Sequence, residues 1–204
     1  MELAFNECGM YVLQKIILVI SDNKRPDLNK TIINNILDII LDSYGIHIFK
    51  SFIVTCTIDQ NKKLILEKIK QNFSEITKSV NGIKAMKFLF QIWGGVENLT
   101  FITDEIINNI NDVSFMQFLS QVIDIIMKVI NNNDKQNLFM KIFFNDLKKY
   151  LSNKYGCIVL DKIVKVMNLF WKVKVKYFLI ECLKDEFFSN EEKNKIKNVI
   201  KRIK

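Results

Sequence analysis

The chain has 204 residues, 49% of them hydrophobic, and a formal net charge of +8. One proline and six glycines leave few of the breaks that separate short strands, which favours long helices. The positive charge indicates an anionic partner, with nucleic acid favoured over a membrane surface. Four widely separated cysteines and one histidine form no metal-binding spacing. We therefore expect no metal, no cofactor, and cysteines that stay reduced.

In chain order, the first predicted helix begins in the segment Asn6–Ile17, which recurs with drift. The glycines of its four clearest copies are Gly9, Gly45, Gly82 and Gly156. They are separated by 36, 37 and 74 residues, the last being twice 37. A further copy is expected near residue 119, where the segment Val113–Ile123 fits with Met116 in place of the glycine. This period is typical of a helical solenoid, in which each unit stacks on its neighbours.

Every copy after the first is predicted to be a motif helix that follows a single leading helix; too few residues precede the first copy for one. The predicted motif helices lie near residues 9–20, 45–56, 82–92, 116–130 and 156–170. The predicted leading helices lie near residues 31–41, 62–78, 101–110 and 138–151. Turns are expected at Gly94-Gly95 and Asn131–Asp134, and Gly9 is expected to adopt φ values that other residues avoid. Residues 190–204 are predicted to form an amphipathic helix that caps the array.

The run Gly-Met-Tyr-Val-Leu-Gln-Lys from Gly9 to Lys15 resembles the core of a Pumilio (PUF) repeat. Tyr44-Gly45 and Tyr155-Gly156 match the entry of that motif. The resemblance implies an all-α fold: a curved α-solenoid, wound as a right-handed superhelix, of about five degenerate Pumilio-like helical repeats with a C-terminal capping helix. Residues 1–204 would then form a single repeat domain.

The resemblance also implies that the motif helices line a concave face that binds single-stranded RNA, one base per repeat. Carried over by position, the side chains that read base edges are Met10 with Gln14, Ile46 with Lys50, Ile83 with Lys87, Gln117 with Gln121, and Cys157 with Asp161. The side chains that stack on bases are Tyr11, His47, Lys84, Phe118 and Ile158.

The edge-reading set departs from the residue types that the family uses. Of these residues, only Gln14, Gln121 and Cys157 conform. Lys50, Lys84 and Lys87 suit phosphates instead, which position a nucleic acid without reading its sequence. We therefore expect a protein that holds weakly specified RNA, in ribosome assembly or post-transcriptional regulation.

An alternative is a HEAT- or armadillo-like scaffold with a protein or peptide in its groove. Ile46, Ile83 and Ile158 favour it, because an apolar groove suits a peptide better than phosphates. No catalytic motif, signal peptide or membrane span is evident in the sequence. We therefore expect a monomeric, non-enzymatic protein of the cytoplasm or the nucleus and nucleolus, with possible protein partners on the convex face.

Overall fold

The computed structural model describes residues 2–93, 105, 116–129, 137, 140–141 and 143–203. Within these ranges all regular structure is helical, as predicted. Two compact units are present, Met1–Ile102 and Thr103–Lys204. The predicted turns at Gly94-Gly95 and 131–134, and all of the predicted leading helix 101–110 except Glu105, lie outside the described residues.

The first unit contains seven α-helices within its described residues. Their bounds are α1 Glu7–Val19, α2 Pro26–Asn34, α3 Ile36–Leu41, α4 Gly45–Thr55, α5 Asp59–Gln71, α6 Phe73–Lys78 and α7 Val80–Trp93. The three motif helices pack side by side, α1 on α4 and α4 on α7, while the leading helices α2 and α3 pack on α5. The core between these two layers includes Ile39, Ile48, Phe49 and Phe52, all fully buried.

Both leading helices of the first unit are broken in two, where the sequence predicted one continuous helix. The breaks lie at Asn35 and Asn72, which have nearly the same backbone angles, φ −108° ψ 21° and φ −114° ψ 17°. Each asparagine side chain donates a 2.8 Å hydrogen bond to the carbonyl oxygen four residues earlier, on Thr31 and on Lys68. Asparagine side chains compete in this way with the helical backbone. The helical spacing of apolar residues continues across each break, so the sequence pattern did not reveal the break.

The glycines that mark the copies are required by a close helix approach. A Cβ built on Gly82 would stand 1.9 Å from the carbonyl oxygen of Ile76, six residues earlier. Gly9, Gly45 and Gly156 meet the residue six positions earlier in the same way, at 2.2, 2.6 and 2.2 Å. None of these four glycines has a positive φ, so the predicted unusual backbone angle at Gly9 was wrong.

A second repeated feature is the residue three positions before each glycine, whose side chain caps the motif helix. The four capping residues are Asn6, Asp42, Ser79 and Asn153, and each accepts a hydrogen bond from the glycine N–H. Such caps satisfy amide groups that the first helical turn leaves unpaired. Cap and glycine together therefore fix where each motif helix begins.

A buried polar network closes the loop between α1 and α2. Asp22, Arg25 and Asn29 are each almost fully buried. Arg25 donates to four oxygens: the carbonyls of Ile17 and Ile20, Thr55 Oγ1 and Asn29 Oδ1. The Asp22 carboxylate accepts from the backbone amides of Thr57 and Ile58 at 2.8 and 2.9 Å. The loop is thus tied to the end of α4, the next motif helix.

In the second unit the described helices are α8 Met116–Val129, α9 Leu147–Leu151, α10 Lys154–Val166, α11 Leu169–Lys184 and α12 Asn190–Arg202. Helix α10 packs between α8 and α12. The predicted motif helix 156–170 ends earlier, at Val166, because Met167 is extended and Asn168 caps α11. The rings of Phe143 and Tyr150 stack at 4.9 Å in the core.

Candidate nucleic-acid interface

The stacking position, two residues after the glycine, is exposed on all three motif helices of the first unit. Tyr11, His47 and Lys84 occupy it on α1, α4 and α7, which lie side by side. Tyr11 is 60% exposed. The structure therefore brings these three predicted residues together as a row across adjacent helices.

The first edge-reading position, directly after the glycine, faces inward instead. Met10, Ile46 and Ile83 are at most 5% exposed and belong to the core. The prediction that Met10 contacts RNA is therefore wrong, because its side chain packs inside the repeat. The same burial contradicts the apolar groove on which the scaffold interpretation depended, since of its three isoleucines only Ile158 is exposed.

The second edge-reading position is engaged between neighbouring helices. Gln14 on α1 donates to the carbonyl oxygen of His47 and to Ser51 Oγ on α4, at 3.1 and 3.2 Å. Lys50 on α4 places its ammonium 5.7 Å from the ring of Phe88 on α7. Lys87, the counterpart on α7, is exposed. At this position, Gln14 and Lys50 contact the neighbouring motif helix, and α4 and α7 each carry a lysine.

No carboxylate interrupts this face on α4 or α7. Helices α4 and α7 contain no Asp or Glu, and their charged or titratable side chains are His47 and Lys50 on the first, and Lys84 and Lys87 on the second. On α1 the one acidic residue, Glu7, lies in the first turn, where the helix dipole favours it. The motif face of this unit therefore offers cations without balancing carboxylates.

The fourth copy lies one residue out of the predicted register. Phe118 is fully buried, whereas the stacking residues of α4, α7 and α10 are exposed. Shifting the register by one residue places half-buried Gln117 at the stacking position and Ser120 at the second edge position. Lys162 Nζ on α10 donates to the Ser120 carbonyl oxygen, a contact between the same positions as Gln14 and Ser51. Phe118 is therefore a core residue, and the glycine counterpart is residue 115, outside the described residues.

The remaining predicted RNA-binding residues of the second unit include one that is exposed and two that are engaged within the protein. Gln121 is exposed on α8. Cys157 is half-buried, its thiol 3.2 Å from the Leu151 carbonyl oxygen, and burial raises its pKa. Asp161 accepts from Arg202 on α12 and pairs with Lys165 at 3.8 Å. Since both carboxylate oxygens are engaged by cations of the protein, Asp161 is poorly placed to accept a hydrogen bond from a base.

No protein-family model matches the sequence, and no curated protein matches it. Several solved structures share its fold. The Puf4 RNA binding domain, bound to the HO endonuclease RNA 3′ UTR recognition sequence, has a TM-score of 0.77 at 18% identity over 99% of this chain. The fold is that of the Pumilio repeat. The RNA-binding domain of yeast Puf5p bound to SMX2 RNA gives 0.76 at 20% identity over 98% of this chain. PUF-8 in complex with PBE-RNA gives 0.71 at 15% identity over 97%.

The chain spans 65% of the Puf4 domain's length and 62% of the lengths of the Puf5p and PUF-8 domains. The predictions of an all-α class and of Pumilio-like repeats are confirmed. At these identities the likeness establishes the fold, and the position of each side chain on the motif helices has to be taken from this structure.

A sixth motif helix of the Pumilio repeat follows the five copies found in the sequence. Ser189 lies 36 residues after Asn153 and caps α12 through the amide of Glu192, which stands where a glycine would be. Helix α12 packs beside α10, so the predicted capping helix also occupies a motif position. At the stacking and second edge-reading positions, α12 carries the exposed residues Asn194 and Lys197. Because this copy lacks the glycine, it was not recognised as a repeat in the sequence. The capping serine at the expected spacing identifies it.

Other kinds of site are not evident in the described part of the chain. No group of three or more His, Cys, Asp or Glu side chains is placed to hold a metal among those residues. No described helix is long and apolar enough to cross a membrane. The row of exposed cations and aromatic rings on the motif helices is therefore the site that the fold positions best.

Proposed function

We propose that this chain is an RNA-binding protein that holds single-stranded or weakly specified RNA on its motif-helix face. The observation that carries the proposal is the row of Tyr11, His47 and Lys84 on three adjacent helices, two of which lack any carboxylate. Pumilio-repeat domains that share this fold have been solved with RNA bound, which supports the same use of the face here.

In the proposed mechanism, Lys50, Lys84 and Lys87 contact phosphates. Such contacts position RNA without reading it, and they release bound counterions, so affinity depends on salt. Tyr11 and the His47 ring lie where bases can stack, a contact worth roughly 1–3 kcal/mol per base. Both side chains are exposed, which this contact requires.

Weak sequence preference follows from the residues that cannot read bases. The first edge position is apolar and buried on all three motif helices of the first unit. The amide nitrogen of Gln14 is held by α4, which leaves its carbonyl oxygen as the acceptor for a base. One such group discriminates poorly among sequences, so we propose a role in ribosome assembly or post-transcriptional regulation, in the cytoplasm or the nucleus and nucleolus. The chain acts there as a binding module and not as an enzyme.

The decisive experiment measures binding of short random-sequence RNA across a salt series. Between about 50 and 200 mM salt we expect a steep loss of affinity. The variant Lys84→Ala/Lys87→Ala should bind more weakly and lower the slope of log K against log salt by about 1.4, since each phosphate contact to a single strand contributes roughly 0.7. Lys30→Ala/Lys63→Ala, on the leading helices, is the matched control and should keep the wild-type slope.

Equal slopes for both double variants would overturn the assignment of the face. Selection from the random pool then separates the two biological roles. An enriched motif supports message regulation, and uniform weak binding supports a structured or ribosomal RNA. Absence of binding by the folded protein would contradict the proposal as a whole.

A further inference from the structure

Helix α11 has apolar side chains on both of its faces, although only one face is covered. Its inner face carries Trp171, Val175 and Leu179, which are buried. Its outer face carries five exposed apolar residues at helical spacing, which we name the α11 stripe: Leu169, Phe170, Val173, Tyr177 and Ile180. Leu169 and Tyr177 are 72% and 70% exposed. The solvent-facing side of a helix at a protein surface is normally polar.

The place of α11 in the repeat does not require such a surface. Helix α5 has the same place, because it begins 23 residues before Gly82 (59 to 82), as α11 begins 23 before Glu192 (169 to 192). The exposed side chains of α5 are polar or charged except for Leu64. The exposed surface of α11 is therefore apolar where that of the equivalent helix is polar, and contiguous exposed apolar surface marks an interaction site.

The charges beside the α11 stripe are uniformly positive once internal pairs are removed. Lys184 is paired with Glu181 at 2.8 Å and is thereby balanced. Lys172, Lys174 and Lys176 have no described carboxylate within ion-pair distance. The Lys174 ammonium lies 4.6 Å from the Phe170 ring centroid, at the aromatic end of the stripe. A ligand for this surface therefore needs apolar side chains flanked by negative charge.

We propose that the α11 stripe is a docking site for an acidic amphipathic helix of a partner protein. From Leu169 to Ile180 the stripe runs about 17 Å at 1.5 Å per residue, which matches three turns of a helix. Helices dock through apolar residues separated by three, four and seven positions. The stripe has these separations, because Val173 lies three residues after Phe170 and Tyr177 lies four after Val173 and seven after Phe170. Carboxylates beside these positions would meet the three unpaired lysines. The site is separate from the motif-helix face and does not depend on RNA binding.

The test uses a fluorescent synthetic helix with Leu and Phe at i, i+3, i+4 and i+7 and Glu elsewhere, and a matched peptide with Lys in place of Glu. Fluorescence anisotropy with the full chain should show saturable binding of the Glu peptide alone. Phe170→Ser/Tyr177→Ser and Lys174→Glu/Lys176→Glu should each weaken it at least about tenfold. Leu64→Ser/Lys63→Glu on α5 makes the same changes on the equivalent helix and should bind like the wild type.

Circular dichroism and RNA affinity should be unchanged in both stripe variants, because the substituted side chains are exposed. Equal binding of the two peptides, or loss of binding in the α5 variant, would overturn the proposal. The proposal would also be overturned if the Glu peptide failed to bind while the protein bound phosphatidylserine vesicles saturably or formed a concentration-dependent dimer. In either case the Phe170→Ser/Tyr177→Ser change should abolish that binding. These results would assign the stripe to a membrane surface or to a second copy of the chain.

Discussion

Gly82 and Ile76 approach so closely that a Cβ on the glycine would stand 1.9 Å from the isoleucine carbonyl oxygen. Since that oxygen belongs to the backbone, it cannot be moved by a side-chain rotation. Gly82→Ala should therefore destabilise the first unit by about 1–3 kcal/mol, as overpacking does. Urea unfolding followed by circular dichroism measures this. Gln91→Ala, exposed on the same helix, should change the free energy of unfolding by less than about 0.5 kcal/mol.

The network around Asp22 leads to a second prediction. Asp22→Ala leaves the Arg25 guanidinium buried without its carboxylate, 3.7 Å away in the native protein. Burial already lowers the pKa of Arg25, and Asp22 opposes that shift. Breaking one side of a buried pair costs about 3–5 kcal/mol, which denaturant unfolding would detect. Asp59→Ala removes a surface pair with Lys62 and should cost less than about 1 kcal/mol; equal costs would contradict a structural role for the network.

Phe118 should respond to substitution as a core residue and not as a base-stacking one. Phe118→Ala opens a cavity in a fully buried site and should cost about 3–5 kcal/mol. Gln117→Ala, at the half-buried stacking position of the corrected register, should change the free energy of unfolding by less than about 0.5 kcal/mol. Thermal unfolding and RNA anisotropy on both variants separate the two effects. A stable Phe118→Ala protein with selectively weakened RNA binding would restore the original register.

The capping box of α12 predicts a local dependence on pH. Glu192 accepts hydrogen bonds from the Ser189 hydroxyl and amide at 2.7 and 2.8 Å, which lowers the pKa of its carboxyl below the ordinary 4.5. A carboxyl whose pKa is lower in the folded state than in the unfolded state stabilises the folded state at pH values above 4.5. This stabilisation is lost as the pH falls toward the pKa of the folded state. Amide exchange in α12 should therefore accelerate in that window. Glu192→Gln should flatten the response, and an unchanged pH profile in that variant would contradict the assignment.

Much of this architecture was accessible from the sequence because glycines at a steady spacing mark backbone contacts. Positions without that marker were missed. In the fourth copy no glycine anchors the register, so a fixed period placed Phe118 on the surface. In α12, Glu192 replaces the glycine and hides a motif helix. Asp22 and Arg25 lie in a segment that looks like a solvated loop, since a sequence pattern does not reveal which charges find partners in the interior.

The candidate site was predictable in part for the same reason. Tyr11, His47 and Lys84 were correctly expected on one face, because the residue two positions after each glycine has a fixed orientation. Burial of Met10 and the pairing of Asp161 with Arg202 depend on neighbouring helices that no local pattern contains. Similarly, the α11 stripe differs from α5 only in side chains that the fold leaves free to vary.

The contact between each glycine and the carbonyl six residues before it involves main-chain atoms that every amino acid possesses. Once the glycine and its cap are kept, the other surface positions of a repeat are free to change without disturbing how its motif helix meets the preceding helix. The chain has the fold of the Puf4 RNA binding domain, with a TM-score of 0.77, at 18% sequence identity. The geometry of a repeat is thus set by a few backbone approaches, and the exposed side chains of the motif helices contribute little to it.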